Sequence, residues 1–443
     1  MDEKKKAIWG WAAYDWANSA FATTVMAGFF PIFFKQFWSY GADVNMSTAM
    51  LGFGNSIASL IIALMAPVMG AIADKGSIRK KFLVFFAYFG ALMTACLFVI
   101  GQGEWALAIL VYTAGIIGFS GANVFYDALL PAVAHEDKID YVSSLGFSMG
   151  YLGGGILFLI NVLMTLNPES FGLRDAASAV RFSFLTVALW WGGFTLLTIL
   201  WVPEKRTAAD PGEGGIHLNV ILEGFRQFFG TLKKIRKMKT VALFLLAYWF
   251  YIDGVDTIIR MAVDYGLSLG FESNDLIVAL LIVQFVGFPA ALLFGRLGEK
   301  WGTKKSIYLA IFIYMGITVW GAMMTEKYEF YVLAVAVGLV QGGIQALSRS
   351  YYARLIPAGQ EAEYYGFYNM LGKFAAIIGP ALMGIVGLSA RRILMPASPT
   401  AEQIKAVGME ASRWSILSVI ILFIIGAVLF YFTDQEKGRI EAR

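Results

Sequence analysis

Long, uninterrupted apolar blocks run through this chain, and their length decides what it can become. Blocks such as 48–73 and 412–433 carry almost no charge and are each longer than ~20 residues, enough for a helix rising ~1.5 Å per residue to cross a ~30 Å hydrocarbon layer. In lipid only helices or closed barrels satisfy every backbone group. Barrel strands would alternate apolar and polar residues, and these blocks do not. The reading is an all-α membrane protein. Composition agrees: of 443 residues only 15% are charged and 58% are hydrophobic, against ~25% charged in soluble domains.

Twelve blocks are expected as spans, at 8–37, 48–73, 82–101, 105–130, 142–166, 182–202, 240–266, 275–298, 306–325, 328–352, 364–389 and 412–433. Asp15 interrupts the first, which still continues to about Phe37. It is therefore read as an uncleaved helix, being too long for a signal-peptide core. One connection is long. It opens Pro203-Glu204-Lys205-Arg206 and contains Asp210-Pro211-Gly212-Glu213-Gly214-Gly215, a linker composition. The expected organisation is a six-helix half over 1–202, a cytoplasmic linker over 203–238, and a second six-helix half over 239–443. Within the linker, Leu218, Ile221, Leu222, Phe225, Phe229, Leu232 and Ile235 recur at helical spacing among basic residues. That pattern reads as a helix on the inner membrane surface, or alternatively a partner-binding helix. Lys and Arg concentrate in the loops that place both termini in the cytoplasm. Arg391, Arg392, Lys405 and Arg413 are the exception.

The halves echo one another. Gly70-Ala71-Ile72-Ala73-Asp74-Lys75 ends the second block, and Gly295-Arg296-Leu297-Gly298-Glu299-Lys300 ends the eighth, 225 residues later. Arg79-Lys80 and Lys304-Lys305 keep the same offset. Tyr126-Asp127 and Pro131 are matched by Tyr352 and Pro357, and Asp15 with Asn18 by Asp253 with Asp256. Gly70, Asp74, Lys75 and Arg79 in the first loop, and Gly295, Glu299, Lys300 and Lys304 in the second, are candidates for a gate built from charge pairs. The plain alternative for the cations is positive-inside topology.

Charges at membrane depth are expensive and need a reason. Asp253, Asp256, Arg260 and Asp264 fall within an arc of roughly 80° on helix seven. They are candidates for substrate or proton binding, or for an ion-pair network that fixes the helix. Asp15 and Asn18 share a side of helix one. Gln341, Gln345 and Arg349 follow i, i+4 spacing on helix ten, and Lys373 lies on helix eleven. These cations could pair with the acids or hold an anionic group of a substrate. Gly146, Gly150 and Gly154 form a small-residue packing face on helix five.

The loop motifs resemble the signature of the major facilitator superfamily, closely in the second copy and with a shifted Gly76 and Ser77 in the first. The stretch Tyr14-Asp15-Trp16-Ala17-Asn18-Ser19-Ala20-Phe21 resembles the hallmark of the "unknown major facilitator" family, which is similar to the fungal autophagy-related vacuolar amino-acid effluxers. The resemblance implies the major facilitator fold, with helices one, four, seven and ten around a central cavity. It also implies a secondary transporter working by alternating access, with amino-acid export or exchange as its activity. Proton coupling through Asp15, Asp253 or Asp256 is expected, as is a monomer in a prokaryotic cytoplasmic membrane whose partners are a small-molecule substrate, H+ and the lipid bilayer. A lipid or glycolipid flippase and a non-transporting receptor or scaffold remain as alternatives.

Enzymatic readings find little purchase. Gly146-x-Ser148-x-Gly150 lies inside an apolar block, whereas a hydrolase elbow needs a strand before the serine. His135-Glu136 lacks a second histidine, Cys96 is the single cysteine, and there is no phosphate-binding Lys-Ser/Thr loop. Neither metal nor cofactor is expected. A net charge of only +4 gives nucleic-acid binding no support.

Overall fold

The computed structural model describes residues 2–40, 44–75, 78–203, 229–268, 273–398 and 400–442. Among the described residues there is no strand, and twelve long helices follow one another. They are α1 (Glu3–Trp38), α2 (Val44–Lys75), α3 (Arg79–Cys96), α4 (Trp105–Val133), α5 (Ile139–Leu166), α6 (Ala176–Trp201), α7 (Lys239–Ser268), α8 (Ser273–Trp301), α9 (Thr303–Met323), α10 (Lys327–Ala353), α11 (Glu361–Leu394) and α12 (Ala401–Tyr431). A short α13 (Gln435–Ala442) closes the chain. Eleven of them meet the length and hydropathy of a membrane span among the described residues; α11, with 34 residues, occupies the place of the remaining expected span. Most of the amphipathic linker stretch, including Leu218, Ile221, Leu222 and Phe225, lies outside the described residues. Its end, 229–237, is helical, with Phe229 exposed and Ile235 buried.

Local sequence explains the irregularities. Prolines inside α2 (Pro67), α4 (Pro131), α8 (Pro289) and α11 (Pro380) each remove a helical hydrogen bond. Packed membrane helices tolerate this because neighbouring helices and side chains satisfy the freed groups. In α1 the turns over Phe21–Phe29 widen to π geometry, with Phe30 N–H donating to the Val25 carbonyl. Asp175 caps α6 by accepting from Ser178 N–H at 2.7 Å, and that hydrogen bond holds its carboxyl below the usual range.

The chain divides into two compact units, Met1–Lys234 with Ile356–Met370, and Ile235–Leu355 with Leu371–Arg443. In the first unit α5 presents its glycines to α1. A Cβ at Gly146 would lie 2.7 Å from Asp15 Oδ2, one at Gly150 2.5 Å from Ser19 Oγ, and one at Gly154 2.7 Å from Thr23 Oγ1. The expected packing face therefore sets the α5 backbone directly against α1 side chains. Gly90 and Gly118 bring α3 and α4 together in the same way. Ser148 is buried in mid-helix on α5, far from any strand-turn-helix elbow.

In the second unit Gly254 faces the Phe423 ring, and Gly426 faces the Tyr251 backbone, so α7 and α12 interlock through small residues. Below them Phe244, Tyr351 and Phe430 pack as an aromatic cluster with centroids 5.0–6.0 Å apart, the separation at which tilted rings attract. α13 docks on this end: Glu441 accepts from Thr240 N–H at 3.0 Å, and Gly438 lies against Leu355.

Candidate functional site

In the first unit the membrane-depth polar residues form one cluster. Asp15 is 8% exposed, and Tyr126 Oη donates to its Oδ2 at 2.8 Å. Trp11 stacks on the Tyr126 ring at 4.3 Å and donates its indole N–H to the Tyr126 carbonyl at 2.9 Å. Asn18, one turn further along α1, donates to Asn123 Oδ1 on α4 at 2.6 Å. The first acid thus sits where α1, α4 and α5 meet, among buried aromatic rings, with a phenol aimed at it. Asn123 carries no charge and no motif, so the sequence offered no sign of it.

At one end of the same unit lies a second cluster. Asp74, the last acid of α2, accepts three hydrogen bonds: Arg79 Nε at 2.6 Å, Ala362 N–H at 3.0 Å and Glu363 N–H at 2.9 Å. The last two are first-turn donors of α11, which have no intrahelical partner and favour an anion. Arg79 also reaches the Glu361 carboxylate. Gly70 is required here, since a Cβ would collide with the Ala362 carbonyl. Nearby, Asn369 Nδ2 donates to the buried Asp127 at 3.0 Å, and Lys80 Nζ donates to the Val202 carbonyl at 2.7 Å. Gly70, Asp74 and Arg79 lie together in this cluster, with Glu361 and the start of α11 as partners the loop motif did not announce. The Lys75 side chain lies outside the described residues.

The second copy of the motif is arranged differently. Lys304 donates to the Tyr431 and Thr433 carbonyls at 2.8 and 2.6 Å, capping the C-terminal end of α12, where a cation complements the helix dipole. Glu299 and Lys300 are exposed, and Gly302 takes a positive φ of 94° at the turn into α9.

The second unit holds the remaining candidates. Asp253 is fully buried. Its Oδ1 accepts from Gly379 N–H at 3.0 Å and Thr257 Oγ1 at 3.2 Å, and its Oδ2 from Ile378 N–H at 3.1 Å. It therefore pins α7 to α11 just before Pro380. Gly379 is what allows the approach, because a Cβ there would overlap Thr257 Oγ1. Tyr251 Oη and Ser348 Oγ lie 2.6 Å apart, joining α7 to α10 at the residue before Arg349. Arg349 is 3% exposed; it and the half-buried Asp256 both have interaction partners. Gln345 is half-buried on the same helix. The side chains of Arg260 and Lys373 lie outside the described residues.

Residues 3–50 and 39–396 match the family model described as "Vacuole effluxer Atg22 like". The chain belongs to this Atg22-like family. A relative from Bacillus subtilis, the "Uncharacterized MFS-type transporter YxiO", is 39% identical over 97% of this chain and 95% of its own length. "Autophagy-related protein 22" of Yarrowia lipolytica is 24% identical over 87% of this chain and 76% of its own. Among solved structures, the "human organic anion transporter MFSD10 (TETRAN)" superposes with a TM-score of 0.68 at 12% identity, covering 97% of this chain and all of the other. The Atg22-like chain is thus an integral membrane protein with the major facilitator fold of two six-helix halves, a transporter and not an enzyme.

Proposed function

We propose that this Atg22-like transporter moves a zwitterionic solute, an amino acid, by alternating access driven by a proton gradient. The observation that carries the reading is the Tyr251–Ser348 contact at 2.6 Å. It sets α7, with Asp253 and Asp256, beside α10 at the level of the buried Arg349. A guanidinium can take a carboxylate through two parallel hydrogen bonds, and an acid on α7 can take an ammonium. Ionisable groups at this depth are retained chiefly where they serve a pathway or relay. The effluxer description of the family supports export or exchange of such a solute.

Counterflow of labelled amino acids into proteoliposomes tests the substrate class. Wild type should exchange them well above empty liposomes. Arg349→Lys should exchange about tenfold less, because an ammonium cannot reproduce the planar fork. Exchange of a different solute class and of no amino acid would overturn the reading.

The asymmetry of Lys and Arg supports both termini facing the cytoplasm, in the cytoplasmic membrane of a prokaryote. Reporters fused after residue 202 and after residue 443 should report the same, cytoplasmic side. A periplasmic signal from the first fusion overturns that topology.

A further inference from the structure

Within the second unit, α7, α8, α9, α10 and α12 line a half-open cavity of about 160 Å³ that no part of the transport reading uses. Its wall is chiefly aliphatic, with Ile259, Ala279, Leu280, Leu333, Ala334 and Ile416 around it. No charged residue appears among the described lining residues. Of the polar groups that reach it, most are already engaged. Tyr265 donates its hydroxyl to the Gly321 carbonyl at 2.6 Å, and Thr318 donates to Tyr314 at 2.8 Å; Gln284 is buried and has its own partners. The Gln341 amide lines the cavity and makes no hydrogen bond to another described residue.

Two physical limits define an occupant. Water needs two to four polar partners to stay in a cavity, and a single amide does not provide them. An apolar cavity of ~150 Å³ holds a benzene-sized molecule, so the space matches one ring. The walls are also tied at one end: Asp275 on α8 accepts from Lys327 and Tyr331 on α10 at 2.6 and 2.8 Å, beside the lining residues Leu276 and Phe330.

We propose that this cavity is an accessory site for one neutral, ring-sized apolar molecule bearing a single hydrogen-bonding group, which the Gln341 amide receives and which arrives from the surrounding membrane. It lies apart from Arg349, which is eight residues, about 12 Å along the helix, from Gln341. A charged solute would meet no charged side chain among the described lining residues, and burying a charge without a counter-group is expensive.

The probe is 4-fluorophenol, followed by fluorine NMR on the full chain in nanodiscs, with protein-free nanodiscs as the reference for partitioning. Saturable line broadening that benzene competes away is the expected result. Ala334→Phe, which fills the cavity from α10, should abolish the broadening without lowering the melting temperature. Ala279→Phe fills it from α8 and serves if the first variant folds poorly. Gln341→Leu should bind about fivefold more weakly through loss of one hydrogen bond. Broadening no greater than in empty nanodiscs, indifference to benzene, or equal broadening in a folded cavity-filling variant overturns the proposal.

Discussion

Asp74→Asn is expected to shift the balance between inward-open and outward-open states about a hundredfold. The carboxylate accepts from Arg79 and from two first-turn N–H groups of α11. Asparagine keeps one carbonyl oxygen and turns an NH2 group toward donors. It loses the charge that complements Arg79 and the helix end, and leaves Arg79 with Glu361 alone. Breaking a buried pair by removing one partner costs about 3–5 kcal/mol, and ~3 kcal/mol is already more than a hundredfold in an equilibrium. A contact made in one state and absent from the other biases the equilibrium by that difference. The measurement is labelling of single engineered cysteines from each side of the membrane, in a background lacking Cys96. Unchanged labelling with intact expression would leave Asp74 as a topological charge only. Glu299→Gln, at the equivalent place in the second half, should shift the balance far less, because Glu299 is exposed and its screened interactions are worth little.

The second large effect is expected at Asp253. Asp253→Asn should abolish accumulation driven by a pH gradient while leaving exchange of solute across the membrane. The side chain holds two backbone N–H groups of α11 and the Thr257 hydroxyl, so the variant should also lose stability, by roughly 2–4 kcal/mol. Thr257→Val separates the two roles. It removes one donor and no titratable group, so it should lower the melting temperature slightly and retain pH-driven accumulation. If Asp253→Asn, Asp15→Asn and Asp256→Asn all accumulate solute like wild type, carboxylate coupling at these positions is excluded. If accumulation follows sodium instead, the proton reading fails with it.

The fold was legible because the bilayer imposes a length on every span. Twelve apolar blocks could be counted, and the glycines of α5 stood at the spacing that a close helix contact needs. The candidate site was legible only in its residue types. Asp15, Asp74 and Asp253 drew notice as acids in or beside apolar runs. Arg79 drew notice beside Asp74, and Tyr126 only as part of the repeat; the other partners did not, since a hydroxyl and backbone N–H groups carry no signature. Glu361 looked like any acid in the first turn of a helix. Nothing in the composition distinguishes the N–H groups of Ile378 and Gly379 from others, yet those are what Asp253 holds. The repeat suggested equal roles for the two loop motifs, but Asp74 is buried against a helix start while Lys304 closes a helix end. Repeats record ancestry in the chain; the surroundings that give each copy its chemistry are set by residues far away in sequence.

The glycine seam between α1 and α5 has a mechanical consequence. A contact made through Gly146, Gly150 and Gly154 has almost no side-chain rotamers on the α5 side to reshuffle. Sliding one helix over the other would drive Ser19 and Thr23 into main chain, so the pair turns as one stiff body. Asp15 sits on that seam, held by the Tyr126 phenol and by the close α5 backbone at Gly146. If transport is proton-coupled through Asp15 as proposed, a proton taken up there would meet a rigid seat, and the displacement it causes would have to be taken up elsewhere in the protein.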